Sequence, residues 1–512
     1  MANRRLVLLA AAVVGVLNLG VATAAPYASS VTINGTVVTF VLNEGGSVLT
    51  YTVNGGAPQA LDGSTAGTKT FNLTSATDTF SIIATKSDPV GYRIPTGATT
   101  PTSANGLSQP TANGGFQLIS SDANTLVQFN SPRGISVNNN PNAGVLFGTA
   151  YVANSAAGTT GTGRAVGDGM YALKADQTDA FGYGNTAQRP AGTFDSVAAS
   201  SSSPFRVSVA RDGNVYVADF SDAQGNVWKL NSTLTTGAQV LAGTGGPSIV
   251  PAGQNHGSTT AVHAVPGAGG AVTLYTLDED LTANQFGQGG AGTGQNNLWR
   301  YDIAGPLPDN STPTRINQDA VLLSAATSDL HVGPVDGKFY LAQNRSAGNE
   351  AGIVVLNPDG STAYDSLTAS RTLLGNPTAP DILRNILGMA VSEDQKYMAL
   401  MLNNSDVAVV PLVNGIPDIA NRLLIDTGTD VNSGRDIAFD AAGNIHYVSS
   451  GQQLYRVLSP GGDQFSMLSW DGSSFSFTTT PVPEPTTLAL VGVAGVGLLC
   501  RRYRKRRAPS AA

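Results

Sequence analysis

The chain is poor in cysteine and in charged residues, on which many enzymes and most disulfide-stabilised exported proteins depend. Its 512 residues include a single cysteine, Cys500, and only 12% of them are charged. One cysteine excludes an internal disulfide, and its position near the C-terminus leaves no thiol in the rest of the chain. An average soluble protein carries about 25% charged residues, so uncharged polar residues and glycine must cover much of this surface.

Common catalytic motifs are also missing. The sequence contains no Gly-x-Ser-x-Gly and no His-Glu-x-x-His, and it has only four histidines. Hydrolase or transferase chemistry would therefore have to depend on a metal or on carboxylates. The acidic run Asp278-Glu279-Asp280 lacks the spacing of a Ca²⁺-binding loop, so we interpret it as a solvated turn.

The N-terminal segment has the pattern of a secretory signal. Arg4 and Arg5 precede an apolar stretch at 6–19, and Ala22-Thr23-Ala24 supplies the small residues that signal peptidase requires. We expect residues 1–24 to be removed on export, with Ala22 and Ala24 at the cleavage site. An N-terminal anchor that stays in place is the alternative.

The C-terminal segment, 479–512, has three parts in a fixed order. Val482-Pro483-Glu484-Pro485 is followed by an apolar run at 486–500 and by a basic tail at 501–507. Fifteen helical residues span about 22 Å, less than the roughly 30 Å of a bilayer core, so the run predicts a marginal transmembrane helix. The basic tail would stay in the cytoplasm, which places the rest of the chain outside.

This order resembles the PEP-CTERM sorting signal of exopolysaccharide-producing Gram-negative bacteria. The resemblance implies that exosortase, a membrane enzyme, recognises residues Val482, Pro483, Glu484 and Pro485. It also implies export by way of signal peptidase, transient anchoring in the inner membrane, and delivery to the cell surface or extracellular matrix. An ordinary membrane anchor that is never processed is the alternative.

The exported body is acidic. Removing the two basic residues of the leader, and the six basic and one acidic residues of the tail, leaves 20 basic and 34 acidic side chains, a formal charge of −14. This balance argues against nucleic acid and anionic lipid as partners.

Six copies of one pattern recur along the body: an apolar strand, a Gly or Asp turn, a strand rich in Val and Tyr, and a third apolar strand. The clearest copies run over 204–230 and 435–457, and looser copies begin at 132, near 262, at 330 and at 387. Repeats of this size and content predict a β-propeller, because one small sheet cannot bury both faces whereas a ring of sheets can. We expect an all-β fold with six or seven blades over 131–478; a parallel β-helix is the rival architecture.

The Tyr-Val-Ala-Asp strand and the Gly-Asn turn of the 204–230 copy resemble NHL-type and gluconolactonase-like propellers. The hairpin pattern at 465–477 has the character of a last hairpin that closes such a ring. Short alternating strands before residue 95 predict a small β-sandwich-like unit at 25–95, joined through a linker and entry strand at 96–130. The alternative is that 27–90 supply strands to the propeller itself.

Candidate ligand residues come from the strand ends. Alignment on the turns places one residue per copy at the start of the first strands, facing the channel: Gly134, Arg206, His263, His331, Gly388 and Asp436. The second strands end at Asn154, Asp219, Asp278, Asn344, Asn403 and Ser449. Such side chains suit an anion, a sugar, Ca²⁺ or another divalent metal, although polar residues at strand ends also serve turns.

Three functions fit these observations. The first is a non-enzymatic surface or matrix protein of a biofilm whose propeller binds exopolysaccharide, another glycan or surface proteins, with no cofactor. The second is a metal-dependent lactonase- or lyase-like propeller enzyme that depends on His331 and Asp219. The third is a bulk surface-layer component with no specific ligand.

Overall fold

The computed structural model describes residues 25–86, 91–92, 117–184, 186–190, 193, 203–220, 227–241, 259–267, 271–278, 298–307, 314–317, 327–344, 349–427, 433–461 and 463–479. Within these ranges no helix has the length and apolar character to cross a membrane. The predicted leader at 1–24 and the predicted sorting helix at 486–500 lie outside the described residues.

The described residues form β-strands and one α-helix, α1 (Ser366–Leu374). The strands before residue 130 are β1 (Ala28–Asn34), β2 (Val37–Leu42), β3 (Val48–Val53), β4 (Gln59–Leu61), β5 (Gly67–Asn72), β6 (Phe80–Lys86) and β7 (Gln117–Leu118). The next are β8 (Pro132–Val137), β9 (Ala150–Asn154), β10 (Gly158–Thr159), β11 (Ala165–Val166), β12 (Gly169–Leu173), β13 (Val207–Val209), β14 (Val215–Ala218), β15 (Val227–Leu230) and β16 (Gly237–Gln239).

The second half of the chain continues in the same way. Its first eight strands are β17 (Thr259–Pro266), β18 (Val272–Asp278), β19 (Leu298–Ile303), β20 (Thr314–Arg315), β21 (Thr327–Val332), β22 (Phe339–Gln343), β23 (Ile353–Leu356) and β24 (Thr362–Asp365). The last ten are β25 (Ile386–Val391), β26 (Tyr397–Leu402), β27 (Val407–Val413), β28 (Ile416–Pro417), β29 (Leu423–Ile425), β30 (Gly434–Phe439), β31 (Ile445–Ser449), β32 (Leu454–Ser459), β33 (Gln464–Trp470) and β34 (Phe475–Thr479).

Six antiparallel sheets follow one another along the chain, and we number them as ring sheets. Ring sheet 1 contains β8, β9 and β12; ring sheets 2, 3 and 4 contain β13–β16, β17–β20 and β21–β24; ring sheet 5 contains β25–β29; ring sheet 6 contains β30–β32 and β7. The first strand of each sheet contacts the first strand of the next, and β30 contacts β8, so the described sheets close into a ring. The body is therefore propeller-like, and each of the six predicted repeats corresponds to one ring sheet.

Hydrophobic packing between neighbouring sheets holds the ring together. A separate cluster of buried apolar side chains fills each junction, including the junction of ring sheets 6 and 1, where Val448 and Tyr455 pack with Ile135 and Val152. Because both faces of a ring sheet are covered, its second strand is buried throughout, as in β31. Burial on both faces explains why these strands are apolar runs rather than alternating patterns.

The N-terminal strands form a separate two-sheet sandwich. One sheet has the order β1-β2-β5 and the other has the order β34-β33-β6-β3-β4. The inward side chains of both sheets, among them Phe40, Leu49, Ile82 and Leu468, share one hydrophobic cluster. The alternating pattern of the sequence thus produces half-buried strands that cover each other.

The last hairpin belongs to this sandwich and not to the ring. β33 pairs with β6 over seven residues, from Gln464↔Lys86 to Trp470↔Phe80. The outer strand of ring sheet 6 is instead β7, through Leu458↔Leu118 and Ser459↔Gln117. Residues 464–479 therefore belong to the sandwich and not, as expected, to the propeller. In ring sheet 6, β7 already occupies the edge that the hairpin was expected to fill.

The sandwich packs on the face of the ring formed by the turns between first and second strands. The rings of Tyr27, Phe147 and Phe477 meet edge to face with centroids 5.4–5.9 Å apart. Asn444 Nδ2 of ring sheet 6 donates to the Ala25 carbonyl at 3.2 Å. This contact is apolar and hydrogen bonded, so it fixes the sandwich beside one end of the channel.

Candidate functional site

One position of each ring sheet, in its first strand or just before it, faces the axis of the ring, and small residues alternate with charged ones among these axial residues. In sheet order these residues are Gly134, Arg206, Ala261, Asp329, Gly388 and Asp436. A Cβ at Gly134 would lie 2.3 Å from the Phe205 carbonyl oxygen, and one at Gly388 would lie 2.6 Å from the Asp436 Cα. Glycine is therefore required beside two of the charged residues, where the backbones approach closely.

The side chain of Arg206 crosses the axis. Its guanidinium donates to the carbonyls of Arg133 and Leu387, and its Nε donates to the Ser328 carbonyl at 3.3 Å. These acceptors belong to ring sheets 1, 5 and 4, while Arg206 itself precedes β13 of ring sheet 2. A single arginine that is 3% exposed thus joins its own sheet to three others across the axis.

Asp329 and Asp436 flank this guanidinium, with carboxylate oxygens 3.8 and 3.9 Å from Arg206 Nε. Asp329 accepts the backbone N–H groups of Leu330 and Met389, and Asp436 accepts those of Ile135 and Ile437, at 2.7–2.9 Å. Each carboxylate therefore joins its own sheet to the next one. Burial and repulsion by Asp436 raise the pKa of Asp329 well above its usual range, and burial also raises the pKa of Asp436.

The structure brings Arg206 and Asp436 together at the axis, and it places the two candidate histidines at another position of their strands. His263 and His331 lie two residues nearer the turn than Ala261 and Asp329, the axial residues of their strands. Asp329, which the sequence analysis missed, occupies the axial position of ring sheet 4. Aligning Asp329-Leu330-His331-Val332 with Asp436-Ile437-Ala438-Phe439 letter by letter would have found it.

His263 and His331 lie side by side, with ring centroids 4.8 Å apart. Neither histidine makes a hydrogen bond through a ring nitrogen within the part of the chain that the structure describes. Desolvation lowers the pKa of His263 to about 4, and desolvation together with repulsion by His263 lowers the pKa of His331 well below its usual value. Both rings are therefore neutral at pH 7.

The histidine pair lines a cavity of ≈ 600 Å³ on the sandwich side of Arg206. That volume is within the range of small-molecule sites, about 300–1,000 Å³. At the mouth, Arg211 and Glu393 form an ion pair at 3.4 Å, and Asn139 Nδ2 is 3.4 Å from Glu393 Oε1. Beyond this mouth a second cavity of ≈ 610 Å³ lies between the ring and the sandwich.

The opposite end of the channel carries a different set of side chains, which we call the arginine rim: Arg133, Phe205 and Arg435. Each immediately precedes an axial residue, in ring sheets 1, 2 and 6. Arg133 Nε donates to Ser155 Oγ at 3.2 Å and Arg435 Nε donates to Ser450 Oγ at 2.9 Å. This rim was not among the sequence predictions. Its signal is that the dipeptides Arg-Gly, Phe-Arg and Arg-Asp stand at the same position of three copies.

Three of the six residues at the ends of the second strands bond to neighbouring strands and loops. Asp219 accepts from Ser203 Oγ and, at 3.3 Å, from Trp228 Nε1. Asn154 donates to the Gly167 carbonyl at 2.7 Å, and Ser449 Oγ lies 3.0 Å from Ser405 Oγ. Asn344 follows β22, Asn403 follows β26 and Asp278 ends β18. The structure does not bring these residues to the axial position of Arg206.

Across the described ranges, no group of three or more His, Asp, Glu or Cys residues is arranged to hold a metal ion. The sorting residues Val482, Pro483, Glu484 and Pro485 and the cleavage residues Ala22 and Ala24 lie outside those ranges.

Several solved structures resemble the chain at 12–13% identity. A protein of unknown function from Bacteroides thetaiotaomicron matches with a TM-score of 0.40 over 85% of this chain and 98% of its own, at 13% identity. A gluconolactonase from Xanthomonas campestris matches with a TM-score of 0.38 over 72% of this chain and 100% of its own, at 12% identity. A Trichoderma reesei protein of carbohydrate-active enzyme family AA12 has the same TM-score over 72% of this chain and 99% of its own, at 13% identity. TM-scores below 0.5 carry no functional argument.

No curated protein matches the chain. A family model matches its C-terminal segment, at residues 481–506, and is described as the PEP-CTERM protein-sorting motif. The matched residues include Val482–Pro485, the apolar run and most of the basic tail, which confirms the predicted sorting signal. The chain therefore ends in a PEP-CTERM protein-sorting motif, the mark of an exported protein sorted to the surface.

Proposed function

We propose that this protein is a cell-surface or extracellular-matrix protein, processed by signal peptidase and exosortase, whose propeller is a non-enzymatic binding module for a glycan or a surface protein. We also propose six blades for the propeller. The observation that carries the proposal is the PEP-CTERM match at 481–506, because this motif implies exosortase sorting.

The positions of the strands support processing at both ends. β1 begins at Ala28, four residues after Ala24, and β34 ends at Thr479, three residues before Val482. Both strands belong to the sandwich. Cleavage at either proposed site would therefore leave every described strand intact.

The bonding of the axial residues supports binding rather than catalysis. General acid–base catalysis requires a group that can reach the proton of a bound substrate. Asp329 and Asp436 each accept two backbone N–H groups, and Arg206 donates to three backbone carbonyls. These side chains already join ring sheets to one another, so we assign them a structural role and place ligands on either side of them along the channel.

Cell fractionation tests the sorting part of the proposal. Wild-type protein should appear at the surface or in the matrix, where protease added to intact cells can digest it. Replacing Pro483, Glu484 and Pro485 by alanine should hold the protein in the inner-membrane fraction, because exosortase has no site to recognise. A Thr480→Ala variant, just before the matched segment, serves as the control. Equal surface delivery of the triple-alanine variant and wild type would contradict the proposal.

A further inference from the structure

We propose that the arginine rim binds a carboxylate-bearing saccharide, such as a uronic acid unit of an acidic polysaccharide. This inference rests on the proposed glycan-binding function and adds to it the chemical class of the ligand and its place on the ring. It concerns the end of the channel at which β8, β13 and β30 begin.

The rim presents two guanidinium groups that have no carboxylate partner within the described residues. Arg133 and Arg435 each use Nε to hold a serine hydroxyl, Ser155 and Ser450 respectively. Their terminal nitrogens donate no hydrogen bond to any residue that the structure describes. A guanidinium has five N–H donors in a planar fork that matches a carboxylate, so both side chains have donors left for a ligand.

The same two-residue unit occurs in adjacent sheets. Arg133 precedes Gly134 and bonds to the serine just after β9, while Arg435 precedes Asp436 and bonds to the serine just after β31. Because β30 contacts β8, ring sheets 6 and 1 are neighbours and the two units stand side by side. The serine bond orients each arginine without neutralising its charge.

Burial and, after it, repulsion between like charges disfavour the charged forms of both rim arginines. Burial, followed by repulsion from Arg133 and Arg206, lowers the pKa of Arg435 to about 10. Burial and repulsion from Arg206 also lower the pKa of Arg133. An anion between the guanidinium groups would offset this repulsion. The formal charge of −14 on the body does not prevent such a contact, since exposed charges are largely screened beyond a Debye length of about 8 Å.

An aromatic pair next to the arginines favours a sugar over a simple inorganic anion. Phe205 stacks on Phe220 with centroids 4.6 Å apart and planes inclined by 22°, and both rings are half-buried. The Arg133 guanidinium carbon is 6.0 Å from the Phe205 ring centroid. The Arg206 guanidinium carbon also lies 4.8 Å from the Phe205 centroid, so Phe220 and Arg206 both cover that ring. The Phe220 ring therefore offers the surface for the C–H face of a pyranose, and the rim arginines offer the donors for its carboxylate.

The test uses polygalacturonate as the acidic probe, its fully methyl-esterified form as the neutral probe with the same backbone, and dextran as an unrelated neutral polymer. Binding to the exported, processed protein is measured by calorimetry. The variants are Arg133→Gln and Arg435→Gln, with Arg371→Gln as the matched control, because Arg371 lies in α1 beyond the edge strand of ring sheet 4 and lines neither end of the channel. Unfolding midpoints check that each variant is folded.

We expect wild type and Arg371→Gln to bind polygalacturonate with equal affinity and to bind the ester much more weakly. Each rim variant should weaken binding by about tenfold or more, the effect of losing a charge-assisted hydrogen bond. Equal binding of acid and ester, or unchanged binding by both rim variants, would overturn the inference and leave the proposed glycan-binding function standing. Failure to bind any of the three polymers would contradict both this inference and the proposed glycan-binding function.

Discussion

Arg206 is the residue on which the ring depends most at the scale of single side chains. We expect Arg206→Met to lower the free energy of unfolding by roughly 3–5 kcal/mol, because removing one partner leaves uncompensated charge in the interior. Asp329 and Asp436 would lose their nearest cation, and three carbonyls would lose a donor. Urea denaturation of both proteins at pH 7 measures the difference.

Arg211→Met is the matched control for this prediction. Arg211 also pairs with a carboxylate, that of Glu393, but its side chain is 73% exposed. Exposed ion pairs contribute about 0–1 kcal/mol, so this variant should denature almost like wild type. Equal losses from the two arginine variants would show that Arg206 has no special role in the ring.

The histidine pair makes stability depend on pH. The pKa of His263 is about 4 in the folded protein, against roughly 6.5 in an unfolded chain. Between these values the unfolded state binds a proton that the folded state does not, so acidification from 6.5 towards 4 lowers the free energy of unfolding. Asp329 and Asp436, whose pKa values are raised, act in the opposite direction.

A His263→Gln variant isolates the histidine contribution. Its free energy of unfolding should fall less steeply than that of wild type between pH 6.5 and pH 4, because the carboxylates are common to both proteins. Urea denaturation across this range, with pH 7.5 as the reference where the imidazole is neutral, measures the slopes. Parallel slopes would mean that His263 titrates normally in the folded protein.

Asp329 illustrates why the axial residues could be only partly predicted. Turn spacing placed Gly134, Arg206, Gly388 and Asp436 at equivalent positions, but it put His331 where ring sheet 4 has Asp329. Asp329 is the fourth residue from the end of its strand, as Asp436 is, so a register aligned on the strand ends gives it. Ala261 is the sixth residue from the end of the longer β17, so strand length hid the axial position of ring sheet 3.

At the scale of strands and sheets, the final hairpin is the clearest departure from expectation. The alternation at 465–477 predicts a hairpin correctly, but alternation does not specify which sheet the hairpin joins. β33 pairs with β6, a strand almost 390 residues earlier, as the Ser81–Ser469 contact illustrates. Strand pairing over such a distance depends on the assembled ring, which a local pattern cannot describe.

The hairpin should stabilise the sandwich directly. Leu468 is 1% exposed and pairs with Ile82 inside the sandwich cluster. We expect Leu468→Ala to lower the opening free energy of β6 amides by roughly 2–5 kcal/mol, as for other large-to-small core substitutions. Hydrogen exchange of Phe80–Lys86 measures this effect.

Ser473→Ala, in the exposed turn of the same hairpin, is the matched control and should change protection by less than about 0.5 kcal/mol. If protection of β6 were the same in Leu468→Ala and wild type, the hairpin would not be part of the sandwich in solution.

At the scale of the whole molecule, the repeats predicted the propeller-like body and the terminal motifs predicted its sorting. The copy at 204–230 contains the first three strands of ring sheet 2, and the copy at 435–457 contains most of ring sheet 6. The arginine rim could not be predicted in this way, because it depends on which sheets become neighbours when ring sheet 6 meets ring sheet 1. Chain order alone separates Arg133 and Arg435 by some three hundred residues.

The central claim is that exosortase processes this protein on its way to the surface, and intact mass spectrometry tests it most directly. The protein would be isolated from a wild-type strain and from a strain that lacks exosortase. We predict a mass loss that corresponds to cleavage near Glu484 in the wild-type strain alone. A tail that remains uncut in both strains would contradict the claim and make this protein a membrane-anchored propeller.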